Sequence, residues 1–215
     1  MADDRFYTDP KAMEPLFPDG EIEDMERLAA DLISKTARLS GATNQITRKA
    51  IADFLRPMNS YYSNLIEGHD THPIDIERAL KNDFSEDKAK RDLQMEAYAH
   101  IKLHEEICGE VGTENSKVIP SSTNYLNSIH RRFYEHLPAD FKEVKSREGV
   151  IKTVVPGAFR ADEVEVGRHI GPHSQSLPFF MDRFQEFYDP EAATNKSKIR
   201  RIISIAASHH RLAWI

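Results

Sequence analysis

Glu67 is a carboxylate in want of a cation. Tyr62, Leu65 and Ile66 fall at helical spacing on one side, and Gly68 sits where a helix takes a residue that tolerates the left-handed conformation. The helix is therefore expected to stop at Gly68, with Glu67 in its final turn. A negative charge there meets the negative end of the helix dipole, at a cost of a few tenths up to ~1 kcal/mol. A positive group is expected beside it. Ser63, four residues earlier on the same face, can steady the carboxylate through its hydroxyl.

The histidines offer other chemistry. His100 and His104 stand four apart and are followed by Glu105, a spacing that can ligate zinc. The zinc-protease pattern needs a glutamate between its histidines, however, and the intervening residues are Ile101-Lys102-Leu103. The pair reads as exposed helix histidines. His69 and His72 suit either a loop and N-cap or the edge of a nucleotide site. Of His209 and His210, at least one is expected in the core or bonded to backbone. The chain has no Gly-x-Ser-x-Gly elbow, Walker loop or dinucleotide fingerprint.

Composition narrows the classes. The chain has 215 residues and a net charge of −6, enough for one substantial core and contrary to a general nucleic-acid binder. Cys108 is the only cysteine, which excludes a disulfide framework or a cysteine zinc site and fits a reducing compartment. The acidic start is no signal peptide, and no apolar run reaches the ~20 residues that span a bilayer. A cytoplasmic protein with neither membrane nor nucleic acid as partner is expected.

The elements that would carry these residues are mostly helical. Residues 1–20 read as an extended arm broken by Pro10, Pro15 and Pro18, pinned by Phe6, Tyr7 and Phe17. An amphipathic helix follows over 21–39, carrying Met25, Leu28, Leu32 and Ile33, and Ser40-Gly41 is expected to end it. A second helix from Asn44 buries Ile46, Ile51, Phe54 and Leu55 and is kinked or broken by Pro57. These helices resemble a helix-turn-helix in connector length only; the acidic balance argues for core packing. Pro73 opens the next helix. Longer ones run over 85–108 and from Pro120 to Pro138.

The pattern then changes. Val150, Ile151, Thr153, Val154 and Val155 give a strand signal, and Val164-Glu165-Val166 before Gly167 gives a second. One β-hairpin over 149–167 is expected. Helices through Phe179–Phe187 and over 195–215 complete an all-α fold with that single hairpin. The organisation is read as arm 1–20, helical region 21–84 and core part 85–215. The end, Leu212-Ala213-Trp214-Ile215, is apolar where a terminus usually frays into polar residues, and reads as a chain cut short.

Three stretches carry a family resemblance. Ser63-x-x-x-Glu67-Gly68 resembles the inhibitory motif of Fic-domain proteins, (Ser/Thr)-x-x-x-Glu-(Gly/Asn). Pro156-Gly157-Ala158-Phe159-Arg160 with Val164-Glu165-Val166-Gly167 resembles their flap, which pairs with an extended target segment. His209-His210-Arg211-Leu212-Ala213-Trp214-Ile215 resembles the approach to their catalytic loop, His-Pro-Phe-x-(Asp/Glu)-Gly-Asn-Gly-Arg, which would start one residue past Ile215.

The resemblance implies a Fic-type helical fold lacking its catalytic end, and a protein adenylyltransferase that moves AMP from ATP to Ser, Thr or Tyr hydroxyls of a target protein, itself included. It implies ATP and magnesium as cofactors, with the base, the metal ligand and the phosphate cradle all beyond Ile215. The catalytic and metal residues in hand are none. The inhibitory residues are Ser63, Glu67 and Gly68, and the target-docking residues are Val164, Glu165, Val166 and Gly167. Autoinhibition follows if Glu67 competes with a phosphate for one arginine, since either anion can bind a guanidinium bidentately. Some relatives remove AMP instead, with the same glutamate acting on water. The rival class is a helical interaction module whose hairpin captures a peptide. The apolar surface that a missing segment leaves would favour a homo-oligomer.

Overall fold

Asn44 decides where the first two helices part. Its side-chain oxygen accepts from the Thr47 amide at 2.9 Å, an N-cap contact that starts a new helix. The break therefore falls at Thr43–Asn44, and Ser40 and Gly41 remain helical inside α1 (Ile22–Ala42), contrary to the stop expected there. Helix α2 (Gln45–Ile66) runs unbroken through Pro57, so the break expected there does not occur. Proline deprives the Asp53 carbonyl of its intrahelical donor, but Asp53 is exposed and water can take the donor's place.

The computed structural model describes residues 5–66, 68–69, 71–111, 117–145, 149–191 and 196–215. After α2 come α3 (Pro73–Leu80), α4 (Lys88–Val111) and α5 (Thr123–Glu135), then strands β1 (Glu143–Lys145), β2 (Ile151–Thr153), β3 (Glu165–Val166) and β4 (His169–Ile170), and finally α6 (Leu177–Tyr188) and α7 (Lys198–Trp214). Pro73 opens α3 as its sequence requires, and Ser197 caps α7 by accepting from the Arg200 amide at 3.2 Å. The fold is mainly helical. Among the described residues no helix is long and apolar enough to cross a membrane.

The strands pair differently from the single hairpin expected over 149–167. β2 turns back on β1, with Val144 opposite Lys152. β3 pairs forward with β4, with Val166 opposite His169. The short ladders explain the error, because two or three pairs leave little alternation to read. Gly167, at φ +62, is the first of two residues linking β3 to β4, the place where a tight hairpin turn takes a glycine.

The chain divides into two compact units. The first joins residues 1–41, 119–127 and 158–215; the second joins 42–118 and 128–157. In the first, Met13, Leu16, Phe180, Met181 and Phe184 form a buried apolar cluster flanked by Leu126, Phe159, Tyr188 and Trp214. The N-terminal stretch is thus core, with a short 3₁₀ turn at Pro10–Met13, rather than an extended arm throughout.

In the second unit, Ile76, Ala97 and Ile101 form a smaller cluster beside Tyr61 and Leu80. Buried Gln94 on α4 ties α3 to the chain that follows it: it accepts from the Ser85 amide at 2.7 Å and donates to the Asp75 carbonyl at 3.0 Å. The apolar positions expected to pack on α1 and α2 are largely open. Leu28 and Phe54 keep 58% and 71% of their surface, so core packing does not account for those stripes.

Candidate functional site

The segment from Arg160 to Pro172 closes on the last turn of α7, within the first unit. Carbonyls of a helix's last turn have no partner inside the helix. Here two side chains supply donors. His169, on β4, lies 2.8 Å through Nε2 from the Trp214 carbonyl; a carbonyl only accepts, so Nε2 carries the proton. Arg160 donates through Nη2 to the Pro172 carbonyl at 2.8 Å and to the Ile215 carbonyl at 3.4 Å. A cation at a helix C-terminus also complements the dipole.

Packing fixes this arrangement. A Cβ built on Gly171 would lie 2.8 Å from Arg160 Nη2, so a glycine is needed for the guanidinium to pass. The Trp214 ring stands 5.2 Å from Tyr7, 5.7 Å from His169 and 5.9 Å from Phe180. Tyr7 bridges to Pro172, and its carbonyl accepts from the His173 amide at 2.8 Å. Glu163 holds the exit from β4 by accepting from the Ser174 amide at 3.0 Å and from its hydroxyl at 2.8 Å. Burial pushes the Arg160 pKa down, the Glu163 charge opposing it, and Arg160 Nη1 is buried with no hydrogen-bond partner.

The docking residues expected from sequence sit here. Glu165 and Val166 are β3 itself, Val164 accepts from the Gly171 amide at 3.1 Å, and Gly167 makes the turn. All four are exposed, and Arg5 pairs with Glu165 at 2.8 Å. Ser63 and Gly68, expected from sequence to be inhibitory, belong to the second unit. Glu67 lies outside the described residues. Its neighbours end α2 as expected: the Gly68 amide donates to the Leu65 carbonyl at 3.1 Å, the His69 amide to the Asn64 carbonyl at 2.7 Å, and Gly68 has φ +83. Those paired bonds form a Schellman cap. Ser63 is exposed.

The histidines sort by environment. His69 Nδ1 lies 3.0 Å from Glu96, and His72 is the N-cap residue of α3 without a side-chain cap bond. His100 is half-buried rather than exposed, with Nδ1 3.2 Å from the buried Ser60 hydroxyl; burial foremost, and the nearby His104, lower its pKa. His209 and His210 are both exposed, which corrects the core role expected for at least one of them. Among the described residues no three His, Cys, Asp or Glu side chains gather to hold a metal ion.

Sequence reasoning missed His169 and Gly171 as parts of this clasp, and took Arg160 only as a motif letter. The helix-end carbonyls that His169 and Arg160 bond lie 45 and 55 residues away, which leaves no local pattern to read. No family model matches the chain, and no curated protein matches it.

Proposed function

We propose that the chain belongs to a Fic-type protein adenylyltransferase held inactive by Glu67. One observation carries the reading furthest. The flap-like segment Pro156–Gly167 and the stretch His209–Ile215 each resemble a different motif of that family, and Arg160 in that segment, with His169 just past it, bonds the Ile215 and Trp214 carbonyls at the end of α7. A flap that docks a target beside a catalytic loop needs a fixed position relative to the helix leading into the loop, and a clasp of this kind supports the reading.

The roles of this chain's residues follow. β3 offers backbone groups for an extended target segment. The clasp sets the direction in which the backbone leaves Ile215. Glu67 competes with ATP phosphate for an arginine past the loop. Bound ATP and magnesium would supply the AMP donor and the charge neutralisation for its transfer; the described residues gather no magnesium site, and the reading puts that ligand beyond Ile215.

The test begins with the gene. A His-Pro-Phe-x-(Asp/Glu)-Gly-Asn-Gly-Arg run directly after Ile215 supports the enzyme, whereas a stop codon or a loop without its histidine rejects it. In the full-length protein, Glu67→Gly is expected to raise labelling from fluorescent ATP about fivefold or more, the scale of a regulatory coupling. Unchanged labelling rejects inhibition by Glu67. Residues 1–215 alone are expected to transfer no AMP; magnesium-dependent labelling by them overturns the assignment of the chemistry to later residues.

A second reading, an interaction module without chemistry, draws on the open apolar stripes. Leu28, Leu32 and Leu39 on α1 are all exposed, a face suited to a partner helix.

A further inference from the structure

The first unit leaves one helix almost uncovered, a feature independent of the adenylyl-transfer reading. Of the residues of α1 only Ala29 is buried. Met25, Leu28, Leu32 and Leu39 succeed one another by three, four and seven residues, the spacing of a coiled-coil seam. Leu28, Leu32 and Leu39 keep 58%, 49% and 56% of their surface. Lys35 takes the remaining seam position and turns its ammonium to Asp31 at 2.7 Å; a lysine in a seam specifies register at some cost in stability. The stripe borders a groove of about 610 Å³ between α1 and α7. Ala29, Ala206 and Ala207 line it, side chains small enough for another helix to approach closely.

Charge decides what can cover that stripe. The half of α1 before Leu32 holds Glu23, Asp24, Glu26 and Asp31 against a single cation, Arg27; the half after it holds Lys35 and Arg38 and no acid. Asp24 and Arg38 stand seven residues to either side of Asp31, so all three flank the stripe on the same side. A helix with the reverse order of charges suits this surface, and α1 itself, run antiparallel, has that order. A parallel pair would set acidic half on acidic half.

We propose that this surface is a self-association site: α1 of a second copy lies antiparallel along the stripe, with Leu32 near the two-fold axis, and seats its leucines in the groove between α1 and α7. A two-fold contact uses the same patch on both copies, so Asp24 faces the partner's Arg38 and Arg38 faces the partner's Asp24. Burial of the two leucine stripes drives the association, and the charge pairs at the rim choose its direction. Each copy thereby covers the face that the other's core leaves open.

Sedimentation velocity at low salt tests it. A concentration-dependent dimer is expected, complete by ~100 μM. Leu32→Glu, at an exposed position, should keep the parent's helical circular dichroism and weaken the dimer by about a hundredfold or more, since the axis meets the change twice. Asp24→Lys and Arg38→Glu should each weaken self-association about tenfold, because each sets like charges opposite one another. An equimolar mixture of those two variants should regain the parental affinity, as Lys then faces Glu and Arg faces Asp. A parent that is monomeric at ~100 μM overturns the proposal and leaves the groove to a partner of another kind. A dimer indifferent to Leu32→Glu, or a mixture no tighter than either charge variant alone, overturns it as well.

Discussion

The two units are held by different forces. The first gathers Met13, Leu16, Phe180, Met181 and Phe184 into one apolar cluster drawn from both ends of the chain. The second has a smaller apolar cluster and leans on single polar ties: Gln94 to the backbone around α3, Ser60 to His100, and His130 to Gly157. Apolar burial is non-directional and tolerates exchange of shape; a buried hydrogen bond is all or nothing. Loss of volume should therefore hurt the first unit most, and loss of one polar atom the second.

The largest effect should come from Phe180→Ala. Phe180 is fully buried, and deletion of such a ring costs about 3–5 kcal/mol. Trp214, the only tryptophan, stands 5.9 Å from it, so tryptophan fluorescence reports this unit. A denaturant midpoint that moves little in this variant would refute a core centred on Phe180.

How much of this was legible depended on whether the deciding contact was local. Gly68 could be read as a helix stop because the Schellman bonds run only from residues 68 and 69 to residues 65 and 64. Pro73 and Gly167 likewise obeyed local rules. Ser40-Gly41 misled because the cap that matters is at Asn44, and Pro57 because propensity yields where a freed carbonyl stays solvated. The strand of Val150–Val155 was visible as a composition, but its partner, β1, was not, since Glu143-Val144-Lys145 carries a weak strand signal. The clasp of Arg160 and His169 on α7 was hidden altogether: its acceptors are backbone carbonyls, which every residue has.

Gln94 sharpens the comparison. A glutamine in a helix reads as surface, yet this one is 1% exposed. Gln94→Leu keeps a similar volume and removes the bonds to the Ser85 amide and the Asp75 carbonyl. Each group left unpaired costs about 1–3 kcal/mol. Hydrogen exchange should show amides of α3 and α4 losing protection while those of α6 keep theirs. Equal loss in both units would mean that the polar tie and the apolar cluster unfold as one.

The smallest effect is one of pH, and it too should separate the units. The Gly157 amide donates to His130 Nδ1 at 2.9 Å, so that nitrogen has no proton and the ring is neutral. Burial lowers the His130 pKa below its ordinary 6.5, as it does, together with His104, for His100. Both groups bind a proton less readily folded than unfolded, so stability rises with pH across this window. Their contribution is present above about pH 6.5 and is lost as pH falls through the lower folded values. Protonation at Nδ1 also sets a second N–H against that of Gly157. In the first unit the carboxylate of Glu14 is lowered, held down chiefly by its bond to Arg183, so its loss comes only in the acid range below about pH 4.5. Between pH 7 and 5 the amides around His100 and His130 should therefore exchange more readily than intrinsic rates predict, while those around Glu14 do not. The same titration of a His100→Asn, His130→Asn variant should be flatter. A variant as steep as the parent would assign the pH response elsewhere and remove this distinction between the units.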